Sequence, residues 1–306
     1  MKNQILCFES GGTKLVAALF DDQGRIVHKT VMKRARTQKA EETVNHLASA
    51  GKKIAAQYGF PSAIGWGFGG TVDRETGNPV YCYHEEGWGS FDATAMLRRE
   101  FNDIPAFVEN DCNMGALAEA WSQGGEPPEM LFFATLGTGI GGGIVRRGKL
   151  QQFSNSGEGE IGHLVVEPGG FPCACGNRGC LETYCSGPGM KNLSQLLIGK
   201  KMDSYEIMDG YRRGETDARR IVEKSADYLA RAFSAVINIL APGEIVLGGG
   251  IMWNNPEFLN MIENRSLALA FPVIAGKVRF RLSELGEDLV CRGAYLFARQ
   301  NMLRLQ

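Results

Sequence analysis

Three cysteines, a histidine and two glutamates stand close together between Glu158 and Glu182. There the chain reads Glu-Gly-Glu-Ile-Gly-His and then Pro-Gly-Gly-Phe-Pro-Cys-Ala-Cys-Gly-Asn-Arg-Gly-Cys-Leu-Glu. Cys173, Cys175, Cys180 and His163 are the soft donors that zinc takes in a closed tetrahedron, an arrangement that staples a loop with little core of its own. A disulfide is the poorer reading, because three cysteines leave one unpaired and two separated by a single residue are badly placed for the bridge geometry. Ordinary buried thiols are the bland alternative, and Cys185 competes with His163 for the fourth ligand position. A metal that fixed His163 and Cys180 would also fix the backbone beside them, holding Glu160 and Glu182 as paired hydroxyl acceptors on one rigid loop.

A second kind of chemistry is written in glycine. Gln4 to Phe8 is apolar, Glu9-Ser10-Gly11-Gly12-Thr13-Lys14 follows, and Leu15 to Phe20 is apolar again. This reads as strand, turn, strand, with Arg25 to Met32 a third strand. Met130 to Leu136, Gly137-Thr138-Gly139-Ile140-Gly141-Gly142-Gly143 and Ile144 to Leu150 repeat the pattern. Gly137, Gly139 and Gly142 spell the dinucleotide fingerprint, but that motif must open a helix and here it opens a strand. Two Gly/Thr hairpins amount to a weak internal repeat. Their shared use would be to point successive N–H groups at phosphate oxygens, with Thr13, Thr138 and Lys14 adding donors. Each hairpin alone reads equally well as a tight turn.

Asp111, within Glu109-Asn110-Asp111-Cys112-Asn113, lies where a strand from Pro105 gives way to a helical run from Met114 to Trp121. It is a candidate base, and equally a candidate N-cap. The elements around these residues read as a helix from Ala40 to Gln57 and a glycine-rich strand from Ala63 to Asp73 that contains Gly70. A short helix from Phe91 to Phe101 and a long one from Thr216 to Leu240 follow. Glycine inside a strand marks close approach of a ligand or another backbone. Glu244 to Leu247 is a strand leading through Gly248-Gly249-Gly250, a platform for adenine or ribose or a mere loop, to a helix capped by Asn255. A terminal helix runs from Gly293 to Leu303 and packs back on the first domain.

The 306 residues suffice for two domains sharing a cleft. A formal net charge of −1 argues against a nucleic-acid footprint. The run Lys33, Arg34, Arg36 reads as a solvated strand end. No leader and no bilayer-length apolar run is found, so a reducing, cytoplasmic setting without a membrane partner is expected.

Along nearly its full length the chain resembles the ROK family of sugar kinases, the glucokinase, N-acetylmannosamine kinase and fructokinase-like proteins. Glu9 to Lys14 resembles the family's first phosphate motif and Glu109 to Asn113 its catalytic motif. Leu136 to Gly143 is similar to its second phosphate turn, Gly159 to His163 with Cys173 to Glu182 to its signature, and Ile245 to Gly250 to its nucleoside strand. The resemblance implies an α/β, two-domain actin/hexokinase-like (ribonuclease H-like) fold with an interdomain cleft. Residues 1–110 with 290–306 would form a small domain, and 111–289 a larger one carrying the zinc loop. It implies ATP-dependent phosphorylation of a hexose at its 6-hydroxyl, a glucose-like sugar first, with N-acetylhexosamine or fructose as further options. Asp111 would be the base, and Gly70, Asn110, Asp111, Glu160, His163 and Glu182 would bind the sugar. Glu9, Gly11, Gly12, Thr13, Lys14, Thr138, Gly139 and Gly249 would serve ATP and Mg²⁺, and His163, Cys173, Cys175 and Cys180 structural Zn²⁺. A homodimer is also implied.

Two positions depart from the family pattern: Glu9 replaces the usual Asp, and His84 falls where many relatives place a sugar-contacting Asn. The rival reading is a sugar-sensing ROK-type transcriptional regulator without kinase activity. Such a protein places a helix-turn-helix ahead of the first phosphate motif, where only eight residues precede Glu9.

Overall fold

The computed structural model describes residues 3–35, 38–83 and 85–304; Arg36 and His84 lie outside the described residues. By internal contact the chain divides into two units. The first comprises Met1–Ser122, Leu150–Glu158 and Leu285–Gln306, and the second Gln123–Lys149 and Gly159–Glu284.

In the first unit, β1 (Ile5–Ser10) and β2 (Lys14–Phe20) form an antiparallel hairpin in which Ile5 faces Phe20 and Ser10 faces Leu15. Both strands are apolar almost throughout, which fits a sheet covered on both faces. One face, with Leu6, Phe8, Leu15, Ala17 and Leu19, packs on Val44, Leu47 and Ala48 of α1 (Ala40–Tyr58). The edge strand β3 (Ile26–Lys33) alternates exposed and half-buried positions. β4 (Ala63–Phe68) runs parallel to β1. A small ribbon follows, β5 (Thr71–Asp73) with β6 (Asn78–Tyr81), then α2 (Ala93–Arg99). β7 (Ala106–Asn110) pairs parallel with β4 and runs straight into α3 (Asp111–Ala120). The strand order is β3-β2-β1-β4-β7.

The second unit repeats this plan. β8 (Met130–Leu136) and β9 (Ile140–Arg146) form an antiparallel hairpin with the short β10 (Lys149–Leu150) beside them. The chain then passes through the cysteine loop to α4 (Glu182–Cys185), α5 (Gly187–Ile198), α6 (Ser204–Arg212) and α7 (Thr216–Leu240). β11 (Glu244–Gly248) pairs parallel with β8; after α8 (Pro256–Leu269) and α9 (Pro272–Ala275), β12 (Arg279–Leu282) pairs parallel with β11. The order β10-β9-β8-β11-β12 has the same topology as the first sheet, so the repeat seen in two hairpins extends to whole sheets. The sequence spacing gives α7 a buried stripe of Ile221, Leu229, Phe233, Val236 and Leu240; the first four are buried and Leu240, at the helix end, is half-buried.

α10 (Leu289–Met302) returns to the first unit and covers the other face of its sheet. There Ile5, Cys7, Val16, Ala18 and Phe20 meet Met114, Ala294, Tyr295 and Ala298. Side chains at Gly65 and Gly293 would collide with the backbone oxygens of Ala294 and Met114, so two glycines let this helix sit against strand and helix alike. This packing keeps residues 111–122 with the first unit, where the sequence expectation had begun the second domain. Asn255 occupies the start of α8 without capping it; its amide donates to Ile251 O and Trp253 O instead. Among the described residues no helix is long and apolar enough to cross a membrane.

Candidate functional site

The chain reverses between β1 and β2 through Gly11, Gly12 and Thr13, with Gly11 N–H donating to Lys14 O at 3.1 Å. Asp111 stands near this turn. A Cβ placed on Gly69 would lie 2.9 Å from Ser10 O and 3.4 Å from Asp111 Oδ2, so the glycine makes room for both. The N-cap of α3 is not Asp111 but Asn110, whose Oδ1 accepts from Cys112 N at 2.8 Å and Asn113 N at 3.2 Å. The amide of Asn110 donates to Gly70 O at 3.1 Å, which ties two predicted sugar contacts together. The structure thus relieves Asp111 of the capping role that competed with catalysis.

Glu9, at the end of β1, is 7% exposed. Its Oε1 lies 3.5 Å from Lys14 Nζ, while its Oε2 is buried without a hydrogen-bond partner among the described residues. Burial pushes its carboxyl up to about 7; the Lys14 ammonium opposes the rise and the Asp111 charge adds to it. A buried, unsatisfied carboxylate oxygen beside a second carboxylate is a donor set that fits a hard divalent cation.

In the second unit the cysteine loop gathers its donors. One ligand atom from each of His163, Cys173, Cys175 and Cys180 lies within 4.8 Å of all the others. His163 Nδ1 lies 3.6 Å from Cys173 Sγ, and Cys175 Sγ 3.6 Å from Cys180 Sγ. Short backbone bridges, Val165 with Cys180 and Pro172 with Arg178, fold the loop without regular structure. The donor set fits zinc. Cys185 is not part of it: it is buried in α4 and its thiol donates to Ser225 O at 3.5 Å.

The two carboxylates flank His163 as the sequence suggested. Its Nδ1 lies 3.8 Å from Glu182 Oε1 and its Nε2 4.0 Å from Glu160 Oε2. Partial desolvation raises the Glu160 carboxyl, with the Glu182 charge adding and His163 opposing. Glu182 also approaches the β8–β9 turn, since a Cβ on Gly139 would lie 3.4 Å from its Oε2. Thr138 is exposed at the tip of that turn, and the Gly137 oxygen accepts from Gly187 N at 2.8 Å. Gly249 has φ +88°, and a side chain there would strike Leu136 O, so backbone packing alone already demands glycine at this position.

Glu9, Gly11, Gly12, Thr13, Lys14, Gly70, Asn110 and Asp111 therefore gather at one end of the first sheet. Thr138, Gly139, Glu160, His163, Cys173, Cys175, Cys180, Glu182 and Gly249 belong to the second unit.

Sequence reasoning missed two buried charge clusters in the first unit. Arg74 Nε donates to Glu109 Oε2 at 2.9 Å and its Nη1 pairs with Glu158. Glu109, 1% exposed, accepts from Asn110 N at 2.8 Å and Asn113 Nδ2 at 3.1 Å, and so holds the end of β7. A glutamate in an otherwise apolar strand was the available signal. The second cluster corrects the basic run: Lys33 is exposed as expected, but Arg34 is 8% exposed and paired with buried Glu85.

Comparison with known proteins gives this geometry a context. The ROK family model matches residues 5–301. A glucokinase of Halalkalibacterium halodurans is 32% identical, the match covering 95% of this chain and 93% of the relative. An N-acetyl-D-glucosamine kinase of Pasteurella multocida is 31% identical over 94% and 96% of the two chains. The crystal structure of a ROK hexokinase from Thermus thermophilus superposes with a TM-score of 0.84 at 29% identity, covering 98% of this chain and 99% of that one. The fold is the two-domain actin/hexokinase-like α/β fold that the motifs implied. With the family model spanning almost every residue, and with the glycine turns and the Cys/His cluster in place, the chain belongs to the ROK family.

Proposed function

We propose that this protein transfers the γ-phosphoryl group of ATP to a hexose hydroxyl, with Asp111 as the base. The observation that carries the reading is that Asn110 caps α3 while the Asp111 carboxylate stands by the Ser10–Gly11 turn. Phosphoryl transfer needs positioning and charge neutralisation more than covalent help. Asp111 takes the proton of the attacking hydroxyl. Gly70, Asn110, Glu160, His163 and Glu182 orient the sugar, and an acceptor left without its hydroxyl penalises a poorer substrate. Gly11, Gly12, Thr13 and Lys14, with Thr138, Gly139 and Gly249, meet the nucleotide. Mg²⁺, when bound, would supply charge neutralisation, and Glu9, whose Oε2 has no hydrogen-bond partner among the described residues, would hold it. Zinc on His163, Cys173, Cys175 and Cys180 would fix the loop that carries Glu160 and Glu182.

A glucose-like sugar acting through its 6-hydroxyl is the first choice, and an N-acetylhexosamine the second; the Halalkalibacterium and Pasteurella relatives carry those two names. A cytoplasmic homodimer belongs to the same reading, supported by the family resemblance and by cysteines that are all free. The test is ADP release across a hexose panel with ATP and Mg²⁺, paired with calorimetric sugar binding to Asp111→Asn. Binding without turnover is expected of the variant. An active Asn variant removes Asp111 from the role, and a wild type that binds hexose without releasing ADP returns the regulator reading.

A further inference from the structure

Arg34 follows β3 directly and reaches into the first Gly/Thr turn. Its backbone N–H donates to Thr13 O at 3.1 Å and its Nη1 to Gly11 O at 2.7 Å. Its Nη2 pairs with Glu85 Oε2 at 3.0 Å, the two side chains being 4% and 1% exposed. Glu85 is itself held: Trp88 Nε1 donates to Oε2 at 2.7 Å and the Thr43 hydroxyl to Oε1, while Gln38 Nε2 reaches that hydroxyl at 2.7 Å. A planar guanidinium gripped this way is a rigid fork.

The turn has a reason to need one. Two successive glycines leave the Gly11–Gly12 peptide free to rotate. In a trans peptide the C=O and N–H point in opposite directions, so holding the Gly11 oxygen against Arg34 turns the Gly12 N–H away from it. Gly12 is exposed, and among the described residues no acceptor meets its N–H. The second turn shows the same device with a different donor, because the Gly137 oxygen, at the equivalent position, is held by Gly187 N at 2.8 Å.

We propose that Arg34 is a positioning residue: clamped by Glu85, it fixes the Gly11–Gly12 peptide so that the Gly12 amide is presented to a phosphate oxygen of ATP. This rests on the kinase reading above and deepens it. Arg34 acts through the Gly11 carbonyl and does not itself touch the nucleotide.

The test compares Arg34→Met combined with Glu85→Gln, which leaves no unpaired buried charge, with Glu85→Gln alone, both assayed below their melting temperatures. The double variant should lose kcat on the order of 100-fold, the effect of losing one preorganised amide donor. Its hexose KM should change by less than about twofold. Glu85→Gln, which keeps the guanidinium on Gly11, should retain most of kcat, and Arg34→Lys should fall between the two. A double variant that turns over as fast as Glu85→Gln overturns the proposal, as does a joint collapse of kcat and hexose KM. In ¹⁵N-glycine-labelled wild type, the Gly12 amide resonance should move on addition of ATP and Mg²⁺ and stay still in the double variant. That readout does not require turnover. A wild type inactive on every hexose therefore counts against the substrate assignment, and an unmoved Gly12 resonance counts against Arg34.

Discussion

The turns Ser10–Lys14 and Leu136–Ile140 occupy the same slot in two sheets of one topology, yet they are held by different chemistry. In each, the oxygen of the last strand residue accepts from the chain that follows a parallel strand: Ser10 O from Gly69 N at 2.8 Å, Leu136 O from Ile251 N at 3.1 Å. The first glycine's oxygen is then held by a buried guanidinium in one unit and by a neutral helix-start amide in the other. Beyond the turns the units diverge further. β1 brings Glu9 and the end of β7 delivers Asp111, whereas in the second unit Thr135 takes the place of Glu9 and, by sheet register, Ser283 that of Glu109. One plan used twice thus places its carboxylates differently: Glu9 and Asp111 come from strand ends in the first unit, Glu160 and Glu182 from the cysteine loop in the second. Besides those two carboxylates the second unit supplies amides, hydroxyls and the metal loop.

Substitutions can break this contrast. The largest effect is expected at Asp111→Asn, a fall in kcat of about 1,000-fold in ADP-release assays. Next, Arg74→Ala strands the buried Glu109 and Glu158 carboxylates behind β7. Breaking a buried pair from one side costs about 3–5 kcal/mol, measurable by urea unfolding.

Glu9→Gln sharpens the contrast through pH. The Glu9 carboxyl titrates at about 7 in the fold against an ordinary 4.5, so between those values the folded state holds a proton that the unfolded state has lost. Wild-type stability should therefore fall as pH rises through that window. The Gln variant should escape up to about 3 kcal/mol of the loss; denaturant melts at either end of the window decide it. The smallest effect belongs to the second unit: Cys180→Ser should lose bound zinc, read by metal analysis, and raise hexose KM by about tenfold through a loosened Glu160 and Glu182.

Local signals in the sequence carried far. The Cys173–Cys180 spacing with His163 pointed to a donor cluster, and the apolar runs around Gly11–Gly12 and Gly137–Gly139 placed both turns. The 3.6-residue stripe of Thr216–Leu240 placed α7 end to end. What stayed hidden depends on distant partners. Arg34 looked solvated because Glu85 lies far along the chain, and Arg74 is separated by 35 residues from Glu109 and by 84 from Glu158. The capping assignment missed by one residue, since Asn110 and Asp111 are both good caps and only the backbone decides between them. β12 is four residues in which arginine alternates with apolar side chains, too short and mixed to stand out before its pairing with β11 is known.

The return of α10 to the first unit bears on how the chain matures. Cys7, Val16, Phe20 and Met114 stay uncovered until Ala294, Tyr295 and Ala298 arrive. A nascent polypeptide emerging from the ribosome can close the second unit's core once residue 284 is out, but the first unit's sheet must wait for residues 294–298. Docking so distant a segment carries a large loop-closure cost. The sheet of residues 5–20 therefore completes its packing after the second unit, and during that wait its bare apolar face is a surface a chaperone would shield.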